Sequence, residues 1–250
     1  MKSSLRWIGL VLLAALALQL YFVGRIALMT VVDPQSTAFE RSEAWRVVND
    51  KGRLPWRQQW VDYASISDNL KRAVIASEDG DFINHDGVDW EALEKAWQKN
   101  AKAQERVEKQ IAAAAARAKP PAKLPKPPKV IGGSTITQQL AKNLFLSGER
   151  TLMRKGQEIV LTFALETLLS KERILEIYLN NVEWGEGVFG AEAAAQHYYR
   201  KPAARLSAYE AARLAVMLPR PKYFEKLPNS GYVADRANTI VARMGDAELP

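Results

Sequence analysis

The sequence has no cysteine and only two histidines, His85 and His197, in 250 residues. Without cysteine there is no disulfide framework, no thiol nucleophile and no zinc-cysteine site. Two imidazoles are too few for a multi-histidine metal centre. No segment alternates apolar and polar residues over the length of a strand, and no internal repeat is visible, so the reading is mainly α. An excess of one charge sign is also lacking over most of the chain. The net charge is +7, but residues 99–129 alone hold nine Lys and Arg (99, 102, 106, 109, 117, 119, 123, 126, 129) against Glu105 and Glu108, a surplus of seven. The basic character therefore belongs to one arm, and overall charge gives no argument for nucleic acid as a partner.

One long apolar run is present. "WIGLVLLAALALQLYFV", Trp7 to Val23, carries no charge, and apolar character continues past Arg25 to Val32. This exceeds the roughly 20 residues a bilayer-spanning helix needs. Lys2 and Arg6 place its amino end inside the cell, which sends everything after about residue 33 out of the cytoplasm. A cleaved signal peptide, with a site near Ala15-Leu16-Ala17, is the competing reading; the hydrophobicity that persists beyond it favours an uncleaved anchor. The expected organisation is an anchor at 1–32, a connecting segment at 33–66 and a globular domain at 67–250. Residues 33–65 read as irregular, with strand-like pieces and a tryptophan-rich patch, Trp45, Trp56 and Trp60. The basic arm, about 99–130, reads as an insertion: "AWQKNAKAQERVEKQIAAAAARA" favours helix and "KPPAKLPKPPKV" ends it as an extended tether.

Helix signals crowd the remainder. Ser67 is an N-cap for a helix that carries Leu70, Ala73 and Val74 on one face and Glu78 at its end. "DWEALEKAW" gives a second helix. Thr135 with Gln138, and Ser207 with Glu210, fit the Ser/Thr-x-x-Glu/Gln capping box. The first box opens a helix to about Phe145, and the second a helix stopped by Pro219 and Pro221. Further helices are expected over about 152–169, 171–180, "AEAAAQHYY" and 232–244.

Chemistry gathers in two places. In "GGSTITQQLAKN" (132–143) glycines precede a helix start, where free N–H groups and the helix dipole favour an anion, and Lys142 and Arg150 add full charges. Arg154 and Glu158, spaced i, i+4 with Lys155 beside them, put cations and a carboxylate on one helix. A second acidic group stands in "ASEDGDFINHDG", with Glu78 and Asp79 at a helix end and Phe82 and His85 in the loop. Each has a plainer reading as a surface ion pair or a helix cap. Together, two separated carboxylates and a cation cluster suit transfer of a sugar off a phosphate leaving group.

At "AVIASEDGDFINHDGVDW", "GGSTITQQLAKNLFLSGERTLMRKGQE", "KERILEIYLNNVEWGEGVFGAEAAAQHYY" and "EAARLAVMLPRPKYF" the sequence resembles the bacterial peptidoglycan glycosyltransferases of glycosyltransferase family 51, its monofunctional members above all. These stretches cover most of residues 68–224, in the family's order. The resemblance implies a mainly α, lysozyme-like domain with a smaller membrane-proximal jaw, acting on lipid II at the outer face of the inner membrane. It implies Glu78 as general base and Glu158 as the second catalytic carboxylate. Substrate contacts would come from Phe82, His85, Ser134, Gln138, Gln139, Lys142, Asn143, Arg150, Arg154 and Lys155, with Asn180 and Gly190 building the cleft. A divalent cation, Mg or Mn, at the pyrophosphate stays open, as do protein partners from cell-wall synthesis or division; the sequence has no dedicated metal cage. No Ser-x-x-Lys occurs and the chain stops at Pro250, so the transpeptidase domain of bifunctional relatives is expected to be missing. The basic insertion departs from the family's short connection between its first two motifs. A lytic muramidase and an inactive scaffold are the alternatives; the cations argue against the first and the paired glutamates against the second.

Overall fold

The computed structural model describes residues 2–116, 133–149 and 151–250. The expected proline-rich tether and Arg150 lie outside these. The chain divides into two compact units, Met1–Val88 with Thr135–Pro250, and Asp89–Ser134.

The first unit begins with α1, Lys2–Leu28. Its outward side chains are apolar, and Leu5, Trp7, Leu12 and Leu20 each expose more than half their surface. Its last turn is seated through the fully buried Ile26, and Gln19 and Phe22 before it are partly covered. Helix α2, Ala38–Lys51, follows. The expected irregular connection is thus corrected: Thr37 and Glu40 close a capping box, and Gly52, at φ +65°, ends the helix in the left-handed region.

Helix α3, Asp68–Glu78, starts on the Ser67 hydroxyl and buries Leu70, Ala73 and Val74. It packs against α9 (Ala208–Met217) and α11 (Gly231–Arg243). Helix α5, Ile136–Phe145, opens with the Thr135/Gln138 capping box and buries Ile136, Leu140 and Leu144 at helical spacing. It lies on α6 (Leu152–Leu168) and α7 (Lys171–Asn181). The core closes around Trp184, whose indole donates to the Leu214 carbonyl at 3.1 Å.

Three short strands join into one sheet in the order β1-β3-β2: Arg57–Gln58, Val188–Phe189 and Glu183–Gly185. Strand β1 runs parallel to β3 and β2 antiparallel to it. Gly187 (φ +72°) makes this possible, since a Cβ there would stand 1.8 Å from the Pro55 carbonyl oxygen. Asn180 ties α7 to the preceding connection, accepting from Val61 N at 3.0 Å and donating to Val61 O at 2.9 Å. The Asn180 carbonyl lies 2.7 Å from where a Cβ on Gly190 would sit, so the pair forms a tight structural corner before α8, Ala191–Tyr199. Pro221–Phe224 forms one short turn, α10.

The second unit is α4, Trp90–Ala116, with the segment returning to Ser134. The two helical stretches expected from sequence are one helix, started by Asp89 accepting from Ala92 N at 2.7 Å. Gly133 lies against it: a Cβ there would be 3.2 Å from the Leu93 Cα.

Candidate active site

Glu78 is the last residue of α3 and half-buried. Gln139, one turn into α5, donates to it at 3.0 Å, and Gln139 in turn accepts from the Tyr178 hydroxyl at 3.0 Å. Tyr178 is 1% exposed. Burial pushes the Glu78 carboxyl above its ordinary value; the Gln139 bond opposes this, and the Asp79 charge adds to it. Among the described residues no cation forms an ion pair with Glu78, and Arg236 acts on it only through its charge; a raised carboxyl in such a setting can take a proton near neutral pH.

Asp79 does different work. One of its oxygens accepts from Ile136 N at 2.9 Å, satisfying an open donor at the start of α5, and the other meets His85 Nε2 at 2.8 Å. Gly87 N donates to His85 Nδ1 at 3.1 Å, which places the ring proton on Nε2. Burial lowers the His85 pKa, but the Asp79 bond and charge outweigh it and the net shift is upward. Thr135 donates to Gly87 O at 2.6 Å. Lys171 donates to His85 O at 2.6 Å and to Glu166 at 2.9 Å, and Thr137 donates to Glu166 at 2.5 Å. The loop after Glu78 is therefore clamped onto α5, α6 and α7.

Glu158 lies on the next helix, 3% exposed, and accepts from Arg154 at 2.8 Å and from Lys155. Both its oxygens are spent on cations, the partners that a buried carboxylate needs. Lys142 on α5 shares this field. Solvent reaches its side chain, yet the surrounding protein strips enough water to pull the ammonium below its usual value; Glu158 opposes that shift, and Arg154 and Lys155 add to it. Three cations around one carboxylate leave a formal surplus of two positive charges. Arg154 Nε is buried with no hydrogen-bond partner, a donor still lacking an acceptor. The arrangement suits an anion with several oxygens.

Helix α1 approaches this face. Gln19 and Gln157 exchange hydrogen bonds at 2.9 and 3.0 Å, one residue from Glu158. Phe22 meets Phe145 edge-on at 5.3 Å, and Arg25 lies 5.4 Å from the same ring. Leu152 and Met153, at the start of α6, are 92% and 87% exposed.

The expected site residues thus separate. Glu78 and Gln139 form one group, and Lys142, Arg154, Lys155 and Glu158 a second; α5 contributes Gln139 to the first and Lys142 to the other, with Asn143 half-buried beside Lys142. Phe82 is fully buried, with Lys171 4.6 Å over its ring, so in this conformation it packs the loop from within. His85 faces Asp79, and Gln138 spends its amide on the capping box. Ser134 is exposed at the end of the second unit. Asp79, Tyr178, Lys171 and Glu166 were not among the expected residues. Asp79 had a local signal in its place after the helix end; the others act across 86 residues or fewer of intervening chain and leave no short-range mark.

Among the described residues no three His, Cys, Asp or Glu side chains gather to hold a metal. With Glu158 already engaged by two cations, the donor set does not fit a resident ion.

A helical fold that carries one carboxylate clear of ion pairs among the described residues and a second held by cations is the class of site that a group-transfer enzyme uses. The chain belongs to the transglycosylase family, whose signature matches residues 48–245, and its helical domain is lysozyme-like. It is similar to the biosynthetic peptidoglycan transglycosylases of Burkholderia thailandensis (55% identity, covering 100% of this chain and 90% of that protein) and Burkholderia pseudomallei (53%, with 100% and 90%). That of Paraburkholderia phytofirmans is 50% identical, with 99% and 95% covered.

Proposed function

We propose that this glycosyltransferase polymerises lipid II into β-1,4-linked glycan strands in peptidoglycan synthesis, releasing undecaprenyl pyrophosphate. The observation that carries the reading is the opposite setting of its two glutamates. Glu78 has no ion-pair partner among the described residues and a raised pKa, while Glu158 is saturated by Arg154 and Lys155. Two carboxylates in such different settings take separate roles.

Glu78 accepts the proton of the acceptor sugar's 4-hydroxyl as that oxygen attacks C1 of the donor. The new C–O bond forms as the C1–phosphate oxygen bond breaks, and the bonding pair leaves with the pyrophosphate. Attack opposite the leaving group inverts C1. Lys142, Arg154 and Lys155 receive the growing negative charge, with Arg154 Nε free to donate, and Glu158 keeps the two cations on α6 in place. Glu78 then passes its proton to water.

Helix α1 is long and apolar enough to cross a membrane. As an uncleaved anchor in the inner membrane it would confine the enzyme to the surface where a polyprenyl-linked substrate resides, with residues 67–250 acting outside. Purified full-length protein in detergent should convert lipid II into lysozyme-sensitive polymer, and Glu78→Gln should not. A wild type that makes no polymer, or that cuts preformed glycan, refutes the proposal.

A further inference from the structure

The tryptophan-bearing segment beyond α1 takes no part in this chemistry, yet it builds a cavity of its own. Asp33, Pro34, Gln35, Trp56, Gln58 and Trp60 line a hollow of about 260 Å³. All six belong to the first unit, and Asp33 follows the end of α1 by one short turn.

The walls are rigid. The Trp56 ring stacks on Phe189 with centroids 4.5 Å apart and planes 22° from parallel. Gln58 accepts from the Trp56 indole at 3.3 Å and donates to the buried Glu40 at 2.9 Å, which fixes its amide and leaves one N–H unused. Arg173 lies 5.5 Å from the Trp60 ring and donates to Asp33 at 2.7 Å through one carboxylate oxygen, leaving the other without a protein partner. Trp60 Nε1 is buried and has no acceptor. Gln35 is exposed, and its amide makes no hydrogen bond among the described residues.

Indole faces beside planar amides and a carboxylate are the groups that recognise a sugar ring. C–H groups pack on the aromatic face, while hydroxyls donate to carboxylate and amide oxygens and accept from amide N–H groups. The charge disfavours a phosphate: a carboxylate lines the hollow, and Arg173 is already committed to Asp33, Glu176 and the Met29 carbonyl. The volume falls just below the roughly 300–1,000 Å³ of drug-sized ligand sites, enough for one substituted ring. We infer that the hollow is a saccharide subsite that holds one pyranose ring of a glycan strand at the foot of α1. The identification of the strand with the enzyme's own product rests on the polymerase reading; the sugar chemistry of the hollow does not.

The test uses the full-length protein in detergent micelles, labelled with 5-fluorotryptophan and titrated with chitotetraose. Of the seven tryptophans, the fluorine resonances of Trp56 and Trp60 should move together and saturably while the other five stay still. Gln35→Ala, which removes one donor, and Trp60→Phe, which shrinks the aromatic wall, should each weaken binding about fivefold, read from Trp56. No shift at Trp56 and Trp60, or unchanged affinity in both variants, overturns the subsite. So does the same shift with glycerol phosphate while chitotetraose is silent, which would assign the hollow to a lipid headgroup. Polymer formation without the shift removes the subsite and leaves the enzymatic reading intact; the shift without polymer does the reverse.

Discussion

Gln139→Leu is the most informative change, because it alters the base without touching it. The leucine keeps most of the volume and removes both hydrogen bonds, the one donated to Glu78 and the one accepted from Tyr178. A hydrogen bond to a charged group contributes about 1.5–3 kcal/mol, and one pKa unit corresponds to about 1.4 kcal/mol. Losing the Gln139 bond, which lowers a carboxyl already raised by burial, should lift the Glu78 pKa by about 1–2 further units. The working form of Glu78 is the ionised one, so activity falls as pH drops through its pKa and a higher pKa moves that fall upward. The assay is kcat/KM for lipid II polymerisation across pH 5–9 for both proteins. The acid limb of the variant should lie about 1–2 pH units higher, with the alkaline plateau within a few-fold of wild type. A limb that stays in place above a lowered plateau would show that Gln139 only packs, and the account of Glu78 would fail. Heat adds an independent reading. The Tyr178 hydroxyl, stranded without an acceptor, should cost about 1–3 kcal/mol, and a chain of this size loses about 2–4 °C in Tm for each.

Three further outcomes follow from the same geometry. Arg154→Lys should lower kcat/KM about 100-fold or more, because an ammonium cannot hold Glu158 and present a second donor as the guanidinium does; steady-state kinetics with wild-type values in this variant would refute the leaving-group role. Glu40 is 1% exposed and pushed up by burial to about 7 from an ordinary 4.5. A folded-state pKa above the unfolded one gives stability that is full below the unfolded value and lost as pH rises through the folded one. Glu40→Gln should therefore make the decline between pH 4.5 and 8 shallower by roughly 3 kcal/mol in denaturant titrations, and parallel curves for the two proteins would contradict it; Glu183, also pushed up to about 7 by burial, keeps part of the slope. Gly187→Ala sets a methyl against the Pro55 carbonyl at a φ of +72° and should cost more than about 1–3 kcal/mol; an unchanged Tm would show that β1 does not depend on this turn.

Local signals were legible where the physics is local. The boxes at Thr135/Gln138 and Ser207/Glu210 close as their spacing predicts. Thr37/Glu40 is the same box and was missed, because the helix behind it buries little besides Glu40 and Val47 and so shows no apolar stripe. The cation pairing on α6 follows from i, i+3 and i, i+4 spacing alone. The link from Tyr178 through Gln139 to Glu78 has no counterpart in spacing, since it joins three helices brought together by the core. Phe82 shows the limit from the other side: in a loop beside an acidic pair, an aromatic reads equally well as a ligand contact or as core, and only burial separates the two.

The Gln19–Gln157 pair gives the leading helix an angular address. A plain tether could be lengthened by a residue without consequence. Here one residue inserted between Gln19 and Ile26 would turn Gln19 by about 100° and shift it about 1.5 Å along the axis, while Ile26 and Met29 stay seated in the core. The amide would then face away from α6, a polar group with no partner on an apolar cylinder. The helix is keyed like a shaft in its hub, and whatever surface it enters fixes the direction in which the enzyme's mouth points.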